Sequence, residues 1–416
     1  MKKSMIVAAM LAMVATGANA KSATDSATIA KNKPVFTVVK QNPITSIKDQ
    51  NRSGTCWAYS TLSYFESEIL KHTGKTYDLS EMFVANKTYM DRATMAVRMH
   101  GDVSFSQGGS AYDVLYALQH YGIVPEGAMP APGTLTGDSL ANFGEFFDVM
   151  TPYVEAVAKS NAKKISSAWK SGLQGIIDSY IGKTPEKFTY QGKQYTPQSF
   201  CQSLGLNLDD YVTITSYTHH PMWSKFAVEV QDNWRWPLSY NVPMDDLCKI
   251  IDNAINNGYT VAWGGDVTED GFTRKGLGIA YDVKKVRSMA GTDADHWFKL
   301  SKDEKKEKFD SLGVNAPEVV PTQAMRQEAF DNWETTDDHG MHIYGIAKDQ
   351  NGKEYYMVKN SWGEYGDYKG TWYMTKAFVA YKTMDFMVNK NAIPKDIRKK
   401  LCLLYTSPSP RDSTSS

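Results

Sequence analysis

The chain has few cysteines and no excess of charge of either sign. Four of its 416 residues are cysteine, so it lacks the dense disulfide framework typical of small exported domains. The sequence permits a bridge between Cys201 and Cys248 but does not require one. The 46 lysines and arginines balance the 46 aspartates and glutamates. No net field therefore attracts nucleic acid or an anionic membrane surface, which argues against polyanion binding as the main role.

The sequence also has no apolar run long enough to cross a membrane. A short apolar run at residues 5–14 follows two lysines and precedes an A-x-A pattern at residues 18–20. This arrangement is typical of a secretory signal peptide. We therefore expect residues 1–20 to be removed, and the mature chain to begin at Lys21 in the periplasm or outside the cell. A buried N-terminal helix is the alternative interpretation.

One stretch, residues 49–60, combines a tight loop with the start of a predicted helix. Residues 53–55 (Ser-Gly-Thr) favour a turn, and apolar residues recur at helical spacing from Trp57 to Ile69. Cys56 is therefore expected in the first turn of a helix. Unpaired backbone N–H groups and the positive end of the helix dipole favour the thiolate there. A small buried side chain is the alternative role.

A histidine and an asparagine far along the chain favour the catalytic role. His339 follows an aspartate, and Asn360 follows a predicted hairpin that pairs it with the strand of His339. A cysteine with a distant histidine and asparagine is the pattern of a nucleophile, its base and the group that orients the base. His342 lies three residues from His339 on a predicted strand and faces the opposite side, so it is assigned to packing or to the surface.

Taken together, these residues resemble the papain superfamily of cysteine peptidases, and within it the bleomycin hydrolase and aminopeptidase C branch. The match covers roughly residues 40 to 401 and is strongest at its two ends. The matched residues are Gln50, Ser53, Gly54, Thr55, Cys56, Trp57, Gly108, Gly109, Asp338, His339, Lys359, Asn360, Ser361, Trp362, Gly363 and Glu364. Ser53 stands where many papain relatives have a disulfide cysteine, which fits the disulfide-free aminopeptidase branch.

The resemblance implies a role for each of the residues that we single out. Cys56 is the expected nucleophile, His339 its base and Asn360 the group that orients the base. Gln50 is expected to donate to the developing oxyanion. The residues expected to line the substrate cleft or to shield it from water are Gly108, Gly109 and Trp362. The resemblance implies peptide substrates, with no metal and no other cofactor.

The fold expected from this resemblance is α+β and papain-like. It has a helical lobe that carries Cys56, an antiparallel β half-barrel lobe that carries His339 and Asn360, and helical insertions. The expected divisions are a signal peptide (1–20), a flexible lead-in (21–34), the helical lobe (35–130), a helical insertion (131–225), the β-rich lobe (226–401) and a tail (402–416).

The predicted insertion adds helices that a papain-type sequence lacks. Papain-type sequences place the histidine about 130–150 residues after the cysteine, and here roughly 150 residues are extra. Residues 139–181 are amphipathic and helical, with an apolar stripe from Phe146 to Tyr180. That stripe must be buried on its own domain or on another subunit. The resemblance implies ring-like hexamers, so we expect a homo-oligomer assembled partly through these residues.

Two further segments bear on function. His219 and His220 are adjacent, but no third ligand joins them at a diagnostic spacing, so a loop role is expected rather than a metal site. In the resembled branch the end of the chain lies in the cleft and holds the amino group of the substrate. Here nine of the eleven residues in 406–416 are Ser, Thr or Pro. This composition predicts a disordered tail, or sequence foreign to the native chain, and a weaker preference for free amino termini.

The function expected from the sequence is that of an exported cysteine peptidase, in particular an aminopeptidase acting on short peptides. The alternatives are a papain-like endopeptidase, an acyl-transfer enzyme with the same triad, and a catalytically silent protein that binds peptides or mediates assembly.

Overall fold

The computed structural model of the protein describes residues 32–132, 140–289 and 299–402. The predicted signal peptide, most of the predicted lead-in and all but the first residue of the predicted tail lie outside these ranges. Within them, no helix is both long enough and apolar enough to cross a bilayer. The predicted division into domains stays a prediction.

Helices form most of the first half of the described chain and recur between the later strands. The α-helices are α1 (Cys56–Thr73), α2 (Glu81–Arg98), α3 (Ala111–His120), α4 (Gly144–Ala158), α5 (Ala168–Ile181), α6 (Pro197–Ser203), α7 (Met244–Asn256), α8 (Val283–Met289), α9 (Lys302–Leu312), α10 (Gln323–Asp331), α11 (Lys376–Lys382) and α12 (Lys395–Lys400). Short 3₁₀ turns lie at Glu126–Ala128, Leu208–Asp210, Gly313–Asn315 and Lys390–Ala392.

Strands dominate the second half. They are β1 (Thr37–Gln41), β2 (Phe188–Tyr190), β3 (Lys193–Tyr195), β4 (Tyr211–Thr215), β5 (Lys225–Phe226), β6 (Ser239–Asn241), β7 (Val261–Gly265), β8 (Phe272–Thr273), β9 (Leu277–Gly278), β10 (His339–Lys348), β11 (Glu354–Lys359), β12 (Thr371–Thr375) and β13 (Thr383–Asn389).

The helix of the nucleophile begins where its sequence predicts. α1 begins at Cys56, directly after the turn at residues 53–55. It ends where Gly74 adopts a left-handed conformation (φ 69°) and its N–H donates to the carbonyl of Leu70, a conformation that glycine adopts without steric cost. The next helix, α2, is capped by Ser80, whose hydroxyl accepts a hydrogen bond from the N–H of Phe83.

The main sheet is large and mixed, which corrects the expected antiparallel half-barrel. Its order is β5-β6-β4-β13-β7-β10-β11-β12-β9-β8, and β1 pairs with β10. Most neighbours are antiparallel, but β4 pairs with β6 and β12 pairs with β9 in parallel. The strands β5, β6, β8 and β9 have only two or three residues each, too few for an alternating sequence pattern to identify them as strands.

The predicted hairpin that precedes Asn360 is confirmed. β10 pairs with β11 so that His342 lies opposite Lys359. In the turn between them, Oδ1 of Asp349 accepts hydrogen bonds from the N–H groups of Asn351 and Lys353. Chain reversal at this turn returns the end of β11 to the beginning of β10, which is where the two predicted site residues lie.

The two largest hydrophobic clusters form most of the core of the described chain. The first cluster packs the helices α1 through α6 against one another, and the second packs the main sheet against α7 and α11. The apolar stripe of α4 and α5 belongs to the first cluster: Phe146, Met150, Leu173 and Ile177 are each fully buried. These four residues are therefore covered by their own chain, whereas Val149 and Ile165 of the stripe are exposed, and the expected contact of residues 139–181 with another subunit stays a prediction. The oligomeric state stays a prediction.

Candidate active site

Two backbone hydrogen bonds hold the loop of the nucleophile beside the loop that carries Asn360. The N–H of Gln50 donates to the carbonyl of Ser361 (2.8 Å), and the N–H of Gly363 donates to the carbonyl of Lys48 (3.1 Å). These contacts join segments separated by more than 300 residues. The loop before Cys56 therefore has its position fixed by the segment after β11.

The predicted base and its orienting group form a direct contact. Nε2 of His339 lies 2.8 Å from Oδ1 of Asn360. The same oxygen accepts the N–H of Ser361 (2.8 Å), which holds the carboxamide in one orientation. Both side chains are buried. The indole of Trp362 packs on the imidazole with ring centroids 4.8 Å apart, and Trp362 is not among the described residues that line the cleft.

Cys56 and His339 line the same cleft, whose volume is about 190 Å³. Cys56 is partly exposed, and the backbone N–H of Gly340 hydrogen-bonds to its sulfur. Gly108 and Gly109 line the same cleft. The structure therefore brings together four of the residues that the sequence singles out.

Desolvation by the walls of the cleft shifts the pKa of both groups, even though Cys56 keeps some contact with solvent. It raises the pKa of the Cys56 thiol to about 12, an effect that the N–H groups of Gly340 and Trp57 reduce and that the carboxylates of Asp337 and Asp232 increase. This corrects the expectation that the helix start alone makes the thiol acidic, because desolvation outweighs the few N–H donors there. Burial also lowers the pKa of His339 to about 4, although its bond to Asn360 opposes the shift. A lone thiolate or a lone imidazolium is therefore disfavoured.

Gln50 lies in the loop that precedes Cys56, but it is not among the described residues that line the cleft. Its Nε2 donates to the carbonyl of Ser53 (2.7 Å), and its Oε1 accepts the hydroxyl of Ser361 (2.6 Å). A carboxamide nitrogen carries two hydrogens, so one remains for a further acceptor. These bonds fix the side chain, which is 7% exposed.

Close packing leaves little room for a side chain at the two predicted cleft glycines. A Cβ added to Gly108 would lie 1.8 Å from Oδ2 of Asp232, and one added to Gly109 would lie 2.8 Å from the indole of Trp57. The carbonyl of Gly108 accepts a hydrogen bond from the buried guanidinium of Arg92 (2.7 Å). No larger residue fits at either position without moving these neighbours.

Sequence reasoning missed a group of carboxylates in the cleft. Asp232, Asp337 and Asp385 line it together with Cys56. Arg92 contacts one of them, Asp232, at 3.0 Å. Burial and the neighbouring carboxylates raise the pKa of Asp337 well above its usual range, and burial raises the pKa of Asp385 to about 6. No motif links these residues in the sequence. The one available signal is that Asp337 directly precedes the matched Asp338-His339 pair.

His342 is a packed residue, as its strand position predicts. It is fully buried, and its Nδ1 lies 2.9 Å from the hydroxyl of Ser63. Among the described residues, its Nε2 has no hydrogen-bond partner. His342 and Asn360 both line a small buried space behind the cleft.

Comparison with known proteins finds relatives that match this chain over nearly its whole length. The sequence model of the Peptidase C1-like family matches residues 2–404. Aminopeptidase G of Lactobacillus delbrueckii subsp. lactis is 23% identical over 408 residues, which are 89% of this chain and 87% of that protein. Human bleomycin hydrolase is 22% identical, with 89% of this chain and 86% of that protein covered. The crystal structure of PepW from Lactobacillus rhamnosis HN001 superposes with a TM-score of 0.67 at 19% identity, and covers 91% of this chain and 87% of that one.

Proposed function

We propose that this chain, which belongs to the Peptidase C1-like family and is a cysteine-type peptidase, is an aminopeptidase that hydrolyses short peptides. The observation that carries the proposal is the cleft in which Cys56 and His339 lie beside a group of carboxylates. The finer arrangement that we propose is papain-like and two-lobed. A helical lobe presents Cys56, and a β-rich lobe presents His339 and Asn360 across the cleft.

The first step that we propose is proton transfer from the thiol of Cys56 to His339. Each charge alone is costly in the buried cleft, but the transfer forms both together, and their attraction offsets much of the desolvation cost. The N–H of Gly340 stabilises the thiolate. Oδ1 of Asn360 stabilises the imidazolium through the Nε2–H, which leaves Nδ1 to exchange the proton with sulfur.

The thiolate then attacks the carbonyl carbon of the scissile peptide bond. The second N–H of the Gln50 carboxamide and the backbone N–H of Cys56 are the proposed donors to the oxyanion. The imidazolium of His339 protonates the leaving amine, which leaves an acyl group on the sulfur. A water molecule that gives its proton to His339 then hydrolyses this thioester and releases the acyl group as a carboxylic acid.

The carboxylates of the cleft support selectivity for a free amino terminus. A substrate amino group at neutral pH carries one positive charge, and Asp337 and Asp385 lie in a cleft where burial disfavours their ionised forms. An ammonium group would stabilise the ionised carboxylates and be stabilised by them. An acylated amino terminus carries no charge, so the carboxylates at that end of the cleft would have no positive charge to compensate their negative charges.

Paired peptides test this proposal. Each pair has one sequence, with a free amino terminus in one member and an acetylated one in the other. We expect the free peptide to lose its first residue, and kcat/KM for the acetylated peptide to be at least tenfold lower, with no hydrolysis of either by Cys56→Ala. Internal cleavage of both peptides with equal kcat/KM would favour the endopeptidase alternative.

The pattern at residues 1–20 supports the further proposal that the enzyme is exported. Expression in a bacterial host with an intact secretion system should yield a periplasmic or secreted chain whose amino terminus is Lys21. Recovery of the chain with residues 1–20 attached, and only in the cytoplasm, would overturn this proposal.

A further inference from the structure

We propose that His219, His220 and Glu229 bind a single divalent transition-metal ion of the zinc class. This site goes beyond the proposed peptidase function and uses none of its catalytic residues. The sequence shows the histidine pair but no third ligand. In the fold, Glu229 returns to the pair, and one ligand atom from each of the three residues lies within 4.8 Å of the others.

The three side chains converge on one point. Nε2 of His219 lies 2.9 Å from Oε2 of Glu229, and Nε2 of His220 lies 2.9 Å from Oε1 of the same carboxylate. Two imidazole nitrogens and a carboxylate oxygen are the donor set of many zinc sites that keep a fourth position for water. All three side chains are partly exposed, at 30%, 37% and 54%, so an ion has access from solvent.

Aromatic packing fixes the two imidazole rings. The ring of His220 stacks on Phe226 with centroids 4.2 Å apart and an interplanar angle of 20°. The ring of His219 stacks on Phe330 at 5.7 Å and 19°. Ligands that are held in place before the ion arrives lose less conformational entropy on binding. The cluster is therefore better ordered than a chance meeting of three surface side chains.

Contacts at the other ring nitrogen, Nδ1, orient His219. The carboxamide of Gln327 lies at its Nδ1, with Oε1 at 3.4 Å and Nε2 at 3.1 Å. Such an outer contact selects which ring nitrogen carries the proton. When Nε2 binds the ion, the proton is on Nδ1, and Oε1 of Gln327 is the acceptor within reach.

The loop that carries the histidines is anchored by a buried asparagine. The two hydrogens on Nδ2 of Asn241 are shared among the carbonyls of Tyr217, His220 and Pro221, which lie 2.8, 3.0 and 3.1 Å from this nitrogen, and Oδ1 of Asn241 accepts the N–H of Tyr217. Asn241 is fully buried. The backbone beneath the proposed site is thus held at three carbonyls.

The site lies behind one wall of the peptidase cleft. Val228 and Val230, on either side of Glu229, line that cleft, and so does Asp232. An ion bound to Glu229 would tie this segment to the histidine loop. We therefore expect zinc to stabilise the fold.

Titration calorimetry with zinc ion on the full chain tests the site. The background is Cys56→Ala, which removes the thiol of the cleft as a competing ligand. We expect one equivalent to bind, His220→Gln and Glu229→Gln each to weaken the Kd at least tenfold, and Gln327→Ala to weaken it about tenfold. The matched control is His72→Gln, which changes an exposed histidine outside the cluster and should leave the Kd unchanged.

Thermal unfolding of the same variants gives a second readout. Zinc should raise the Tm of the Cys56→Ala background and of His72→Gln, but not that of Glu229→Gln. Absence of zinc binding to the background, or an unchanged Kd in both His220→Gln and Glu229→Gln, would overturn the proposal. Because the background is inactive by design, these results do not depend on the proposed peptidase function.

Discussion

Nε2 of His339 lies 2.8 Å from Oδ1 of Asn360, although 21 residues separate them in the chain. The β10–β11 hairpin creates this contact by returning the chain to its starting edge. The same oxygen accepts the N–H of Ser361, so the carboxamide has little freedom to rotate. In the mechanism that we propose, Asn360 fixes the ring orientation through this contact and leaves Nδ1 of His339 for the thiol.

Asn360→Ala should lower kcat and leave KM nearly unchanged, because the residue orients the base and transfers no proton. The loss should be smaller than the roughly 10²–10⁴-fold that general acid–base catalysis contributes. Steady-state kinetics with a free-amino peptide measures it, with Asn207→Ala, an exposed residue at a turn, as the control. A variant as inactive as Cys56→Ala would indicate a direct role, and an unaltered kcat would remove Asn360 from the mechanism.

Gln50→Ala should lower kcat by about 10²–10³-fold, or ~2.7–4 kcal/mol, which is the usual cost of losing one oxyanion donor. Ser361→Ala removes the hydroxyl that holds Oε1 of Gln50, so it should give a smaller loss in the same direction. If KM alone rises in Gln50→Ala, Gln50 binds substrate or supports the loop, and the oxyanion role is wrong.

The pH dependence of stability should reveal His342. Burial lowers its pKa well below 6.5 in the folded chain, so the unfolded chain binds the extra proton first. Its contribution to stability is complete above about pH 6.5 and falls as the pH decreases, by up to ~1.4 kcal/mol per pH unit. Urea unfolding at several pH values should therefore show His342→Gln losing less stability than the wild type between pH 6.5 and 5. A difference between the two that is constant with pH would contradict this assignment.

Two variants separate the cleft carboxylates from the chain end as the source of amino-terminal selectivity. Asp337→Asn should reduce the ratio of kcat/KM for free and acetylated peptides, because one carboxylate that would hold the ammonium is lost. Removal of residues 403–416 should leave the ratio close to that of the full chain if the carboxylates hold the ammonium, whereas the composition of the tail predicts that its removal raises the ratio. The opposite result, in which truncation changes the ratio and Asp337→Asn does not, would assign selectivity to the chain end.

The local parts of this site could be predicted from sequence. The turn and helix at Cys56, the glycine at the end of α1 and the hairpin before Asn360 each follow from a few adjacent residues, and the structure has all three. The family resemblance then names His339 as the base without needing the fold. Each of these three local features is determined by residues that lie close together in the sequence.

The longer-range features could not be predicted. Asp232 reaches Gly108 through a loop with no regular pattern, and Glu229 meets His219 only when that loop folds back. The partner of the apolar stripe on α4 and α5 was also undetermined, because an amphipathic pattern states that a face is buried and not what covers it. The pKa of Cys56 depends on its surroundings in three dimensions, so the helix start alone gave the wrong direction.

The most direct test of the central claim is to identify the residue that a thiol-alkylating peptide analogue modifies when it abolishes activity. We expect one label per chain at Cys56, found by mass spectrometry of the digested protein, and a loss of peptide hydrolysis in proportion to labelling. In His339→Ala no base accepts the proton, and burial keeps the pKa of the thiol near 12, so labelling at neutral pH should be far slower and should rise with pH. Labelling of Cys201, Cys248 or Cys402 with equal loss of activity, or a rate in His339→Ala equal to that of the wild type, would contradict the account.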